Sequence, residues 1–169
     1  MRVIDDLAAA ELRQETVVTI GAFDGVHLGH QALVKNIVGR ARATGRLAAL
    51  VTFHPHPVAV LAPDRAPRYL TTPGEKAALL ESLGLDLMIL LPFDLHVAAT
   101  PARKCVEALA QHLQIRELWV GAEFALGNGR EGDASPLRLV GQGLGSRLHA
   151  IEPLCAGGEA SASSRRRRL

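Results

Sequence analysis

Residues 21–30 read Gly-Ala-Phe-Asp-Gly-Val-His-Leu-Gly-His, so two imidazoles, His27 and His30, stand three positions apart among three glycines. If a helix opens here, side chains at i and i+3 share one face, and the glycines let backbone approach a ligand closely. A helix N-terminus adds unpaired N–H groups and the positive end of a dipole, which suits an anion with ring N–H donors directed at a phosphate chain. The order is neither a Walker loop nor the Gly-x-Gly-x-x-Gly dinucleotide fingerprint. Two histidines so spaced also suit zinc, with His54 and His56 completing a set of four, or they are simply exposed polar residues. The surrounding glycines are explained by phosphate and not by a metal, so no protein-held metal is expected. Mg2+ fits better, bound mainly through nucleotide phosphates and water.

The elements that would position these residues follow from apolar periodicity. A short buried strand is expected over 17–20, and a helix over about 27–42 places Leu33, Val34, Ile37, Val38 and Ala41 on one face. A second strand over 48–53 closes a right-handed βαβ unit and leaves the glycine turn at the carboxyl end of a parallel strand, where open α/β sheets bind ligands. Residues 54–70 are proline-rich without periodicity and are read as a substrate lid or pocket wall. Thr72-Pro73-Gly74-Glu75 carries an N-cap residue, a proline at the first helical position and a glutamate three after the cap. A helix should run from there to Leu83 and stop at Gly84. A strand over 86–91, a helix opened by Thr100-Pro101 with Val106, Leu109, Ala110 and Leu113 inward, and a strand over 117–120 come next. Beyond Gly121 a short helix opened by Ser135-Pro136, weakened by Gly141, Gly143 and Gly145, and a fifth strand over 148–151 are expected. The class is α/β, an open parallel sheet with helices on both faces. One domain spans 1–155, and residues 156–169 form a Ser/Arg-rich tail.

With 169 residues, 48% of them hydrophobic, the chain can build one core. The formal charge of +2 depends on four arginines at 165–168, without which the balance is slightly acidic. A short basic run is read as a solvated tail, so nucleic acid is not an expected partner. No apolar stretch nears the roughly 20 residues that span a bilayer, and residues 1–15 mix charges with alanines, so no membrane partner is expected and the location reads as cytoplasmic. Cys105 and Cys155 make no disulfide framework.

The Gly-x-Phe-Asp-Gly-x-His-x-Gly-His pattern resembles the FMN adenylyltransferase module of the bifunctional riboflavin kinase/FAD synthetase family, within the His-x-Gly-His nucleotidyltransferases. Further matches follow in order: Thr52-Phe53-His54-Pro55-His56-Pro57, Leu70-Thr71-Thr72 with Glu75-Lys76, Leu91-Pro92-Phe93-Asp94, and Val120-Gly121. The resemblance covers about residues 16–133 and implies a Rossmann-like nucleotidyltransferase fold. It also implies transfer of AMP from ATP to FMN, giving FAD and pyrophosphate. The catalytic set it carries over is His27, His30, Ser164 and Arg168. The ATP site would comprise Gly21, Phe23, Asp24, His27, Gly29, His30, Gly121, Ser163 and Ser164, with Asp24 either capping the turn or touching the ligand. The flavin site would comprise Phe53, His54, Pro55, His56, Pro57, Phe93, Asp94 and Leu126, although core packing accounts equally well for Phe53 and Phe93.

Two departures stand out. Leu126 replaces an aromatic, and the closing Ser-Ser-Thr-x-Ile-Arg motif appears as Ser163-Ser164-Arg165-Arg166-Arg167-Arg168, so that only Ser163, Ser164 and Arg168 carry over. A flavin- or nucleotide-binding module weakened in catalysis, or a transferase using another phosphate acceptor, therefore remain alternative readings. The chain leaves no room for the kinase module of the bifunctional enzymes, so riboflavin phosphorylation is not expected, and a separate riboflavin kinase would supply FMN.

Overall fold

The segment Thr-Val-Val-Thr-Ile is buried at every position, as a strand must be when helices cover both faces of its sheet. It forms β2 (Thr16–Ile20) in the interior of a six-stranded parallel sheet. The computed structural model describes residues 1–10, 12–121, 147–151, 155–156 and 159–160. Strand β1 (Arg2–Ile4) lies at one edge, followed by β4 (Leu87–Pro92), β3 (Leu47–His54), β2, β5 (Ile115–Gly121) and β6 (Arg147–Ile151). Every neighbouring pair is parallel, with Val17 opposite Ala48 and Ile20 opposite Val51 in the central register. From β2 the chain crosses to β3 on one side and later reaches β5 on the other, so the strand order reverses at β2. In open α/β sheets, ligands bind outside the carboxyl ends of the strands at such a reversal.

Alternation along the strands sorts the core into two layers. Val17, Ala48, Leu50 and Met88 pack with Leu33, Val34, Ile37 and Ala41 of α1 (Leu28–Thr44) and Leu80 of α3 (Pro73–Ser82). Val18, Ile20, Ala49, Val51, Leu87 and Ile89 face the other way, against Leu109 and Leu113 of α5 (Ala102–Leu113). Truncating a fully buried member such as Ile37 or Leu50 to alanine would cost about 2–5 kcal/mol. Among the described residues no helix is long and apolar enough to cross a membrane.

The strands and long helices expected over 17–120 are all present, with ends displaced by a few residues, and the strand expected over 148–151 is β6. Four differences have physical causes. Strand β1 has only three residues, too few to display an alternation. The proline-rich stretch contains α2 (Pro57–Leu61) and a 3-10 turn (Pro63–Arg65), neither with a buried residue and hence without a readable period. A short α4 (Leu95–Ala99) precedes α5, so Thr100 closes α4, its hydroxyl donating to the His96 carbonyl, instead of opening the next helix. β7 (Cys155–Ala156), which straddles the expected domain end at 155, pairs antiparallel with β8 (Glu159–Ala160) inside the stretch read as the tail. The helix expected at Ser135-Pro136 lies outside the described residues.

Candidate active site

The chain leaves β2 through Gly21, whose N–H donates to the Val51 carbonyl at 3.0 Å. A Cβ at Gly21 would lie 3.0 Å from the Phe23 ring, so glycine is what lets that ring fold back under the turn. Phe23, Gly25 and Val26 all have positive φ, at 48°, 73° and 36°. Two non-glycine residues in this region carry strain of order 1–3 kcal/mol each, which the surroundings must offset. The offset is visible in the packing. Phe23 and Val26 are buried in the α1-side core. The Asp24 carboxylate, itself buried, accepts from Leu70 N at 2.9 Å, Thr71 N at 3.2 Å and the Thr71 hydroxyl at 3.3 Å. Thr71 Oγ1 accepts in turn from Gly25 N at 3.2 Å. A Cβ at Gly25 would sit 2.8 Å from Leu70 Cδ1, so the clasp closes only over glycine. These contacts tie the Asp24 carboxylate to segment 70–71.

That segment runs into α3 through a complete capping box. The Thr72 hydroxyl accepts from Glu75 N, and the Glu75 carboxylate accepts from Thr72 N at 2.8 Å. One residue later Lys76 turns inward: its Nζ donates to the Ala22 carbonyl at 2.6 Å and to Thr52 Oγ1 at 3.3 Å. Burial pushes the Lys76 ammonium below its ordinary pKa, and the negative charge of Asp24 opposes that shift. In the sequence Lys76 stands only within the Glu75-Lys76 match, with no role attached to it. The available signal was its spacing of four from Leu80, which puts both on the inner face of α3.

On this base the histidines are brought together. His27 is the N-cap residue of α1 in extended conformation, with its side chain not used for the cap, and it is buried at 6% exposure. Its ring stacks on His30, centroids 3.7 Å apart at 25°, and His30 leans on Phe23 at 4.5 Å. The first turn of this 17-residue helix holds no acidic residue, so no carboxylate of its own competes for the positive end of the dipole. Stacked rings with N–H donors beside such a terminus can bind and polarise a phosphate chain. Among the described residues no group of three or more His, Cys, Asp or Glu could hold a metal.

The neighbouring strand ends carry the other candidates. Phe53 and Phe93 meet edge to face at 5.6 Å, both partly buried. His54 is exposed, 5.8 Å from the Tyr69 ring, and the His54–Pro55 peptide is cis. His56 Nδ1 accepts from Val58 N at 3.2 Å and Pro57 starts the helix, so these two residues build α2. Asp94 caps α4 through Val97 N at 2.7 Å. Gly121 ends β5 opposite Ile151. Leu126, Ser163, Ser164 and Arg168 lie outside the described residues.

Comparison with known families matches residues 9–165 to FAD synthetase. The chain belongs to the FAD synthetase family. Its similarity to the bifunctional riboflavin kinase/FMN adenylyltransferase of Escherichia coli (strain K12) is 35% identity over 159 residues, covering 94% of this chain and 50% of that protein. A Bacillus subtilis (strain 168) protein of the same name is 33% identical over 118 residues, 69% of this chain and 37% of that protein. This member of the FAD synthetase family thus spans about half the length, or less, of those relatives. Among solved structures, a macrolide-efflux protein from Streptococcus pneumoniae superimposes with a TM-score of 0.84 at 22% identity, covering 96% of this chain and 54% of that one. A pantoate-beta-alanine ligase from Francisella tularensis gives 0.69 at 13% identity, covering 100% and 73%. At such identities these two show the fold alone.

Proposed function

We propose that this FAD synthetase family member is an FMN adenylyltransferase, forming FAD and pyrophosphate from FMN and Mg2+-bound ATP. The observation that carries the reading is the stacked His27–His30 pair at the N-terminus of α1, beside the strand-order reversal of a parallel sheet. An oxygen of the FMN phosphate attacks the α-phosphorus of ATP in line, the bond from that phosphorus to the bridging oxygen breaks, and pyrophosphate leaves. No protein nucleophile is required, so the chain contributes position and fixed donors. His27 and His30 would hold the charge growing on the α-phosphate, each donor contributing about 2.7–4 kcal/mol by analogy with oxyanion-hole deletions. Gly21 and Gly29 allow close approach of the phosphates, Phe23 and Asp24 set the turn, and Gly121 lies along the adenosine. Ser163, Ser164 and Arg168 would act on the leaving pyrophosphate.

The flavin would lie against Phe53 and Phe93, with His54, Pro55, His56, Pro57, Asp94 and Leu126 around it, since aromatic and proline faces suit a flat apolar ring. Magnesium would arrive on the triphosphate: Asp24, the carboxylate of the turn, already receives the amides of Leu70 and Thr71. The catalytic domain is taken to span 1–155 with the tail from 156. A cytoplasmic setting belongs to the same reading. Incubation of purified protein with ATP, magnesium and FMN should yield FAD on chromatography, and His30→Ala should slow its formation by roughly 10²–10³-fold. Binding of ATP and FMN without FAD at high enzyme concentration would replace the transferase by a binding module. Pyrophosphate release with another phosphorylated acceptor would replace FMN.

A further inference from the structure

We propose that Lys76 is a positioning residue for adenylyl transfer, its buried side chain tying the phosphate turn to the acceptor-side strand and so setting the histidine pair against the incoming phosphate. The inference rests on the reaction proposed above. Lysine is almost never buried this deeply without a partner, and an apolar residue facing a core usually serves stability as well or better. Yet Lys76 is 8% exposed, one helical turn before the fully buried Leu80.

Its hydrogen bonds run to neutral groups that belong to two different elements. Nζ donates at 2.6 Å to the carbonyl of Ala22, in the turn after β2, and at 3.3 Å to the hydroxyl of Thr52, near the end of β3. Thr52 Oγ1 donates to the same Ala22 carbonyl at 2.9 Å. That oxygen therefore receives two donors, which fixes the peptide plane leading into Phe23, the first residue of the left-handed turn. Phe23 supports His30, and His30 stacks on His27. On the other side Thr52 is followed directly by Phe53 and His54 of the acceptor stretch. One ammonium thus spans the ATP side and the flavin side without standing among the phosphate-facing residues. A misplacement of the reacting groups by about 1 Å can cost on the order of 10²-fold in rate.

The test compares Lys76→Met with Leu80→Ala, a core truncation on the same helix. Lys76→Met should lower kcat by about 10²-fold while KM for ATP and FMN stays within about threefold. Leu80→Ala should lower the melting temperature but keep kcat when assayed well below it. Independently of activity, nitrogen-edited NMR of the resting protein should show the Gly21 and Gly25 amides and the His27 and His30 ring nitrogens shifted by Lys76→Met and not by Leu80→Ala. Should Lys76→Met not fold, Thr52→Val removes both hydrogen bonds of the Thr52 hydroxyl while leaving the Lys76–Ala22 bond, and should shift the same resonances with a smaller kcat loss. Unshifted turn resonances, or parallel kcat losses in Lys76→Met and Leu80→Ala, would overturn the inference. If the wild type makes no FAD, the proposed reaction falls, while the resonances still decide whether Lys76 sets the turn.

Discussion

The two sides of the proposed site are built differently. On the side proposed for the triphosphate, the turn is strained at Phe23 and Val26 but held from below by Phe23, Asp24 and Lys76 through contacts with segment 70–76 and β3. On the side proposed for the acceptor, α2 and α4 bury no residue, and Val58, Leu61, Tyr69 and Leu95 stay exposed. The contrast matches the demands of the proposed chemistry. Charge stabilisation at a phosphorus needs donors fixed in advance, whereas a large flat acceptor can be gathered by short elements that adjust around it.

The largest expected effect is on the phosphate side. His27→Ala and His30→Ala should each lower the rate of FAD formation by roughly 10²–10³-fold when assayed well below the variant's melting temperature, if these rings stabilise the transition state. Next comes the strain in the turn itself. Gly25→Ala places a Cβ against Leu70 at positive φ and should cost about 1–3 kcal/mol in denaturant unfolding. Gly74→Ala, with nothing within 4 Å of the added carbon, should stay near neutral. On the acceptor side Phe93→Ala removes an edge-to-face pair worth about 0.5–1.5 kcal/mol. It should weaken FMN binding several-fold in fluorescence titration and leave ATP affinity alone; equal weakening of both ligands would erase the division between the sides.

The smallest effect is one of pH. Hydrogen bonds from the Thr72 backbone and hydroxyl hold the Glu75 carboxyl below its ordinary 4.5. A carboxylate with a depressed folded pKa stabilises above its unfolded value and loses that contribution as pH falls through the folded one. Protection against hydrogen exchange at the start of α3, taken relative to intrinsic exchange at each pH, should therefore fall below about pH 4.5, and Glu75→Gln should flatten the dependence.

Much of this architecture is legible in the sequence because its signals are local. The 3.6-residue period of Leu33, Val34, Ile37 and Ala41, and the Thr72–Glu75 box, each announce an element from within its own residues. Helices α2 and α4 carry no such signal, since a one-turn helix on the surface needs no apolar face. Asp94 is a cap-type residue in the Leu91–Asp94 match, but α4, the helix it caps, has no apolar period to announce it, whereas the helix expected from Thr100-Pro101 is present as α5. At the site, His27, His30, Gly21 and Gly25 declare themselves by type and spacing. Lys76 does not, because a lysine in a helix ordinarily faces solvent, and only the tertiary approach of Ala22 and Thr52 gives this one its partners.

The central claim is that the stacked imidazoles at the head of α1 receive the triphosphate. Titrating magnesium and ATP into protein labelled at the histidine ring nitrogens, followed by NMR, tests it most directly. The account predicts that the His27 and His30 ring resonances shift together and saturably with ATP, along the isotherm seen by calorimetry, and stay in place with FMN alone. Heat of ATP binding with both rings unmoved would contradict it.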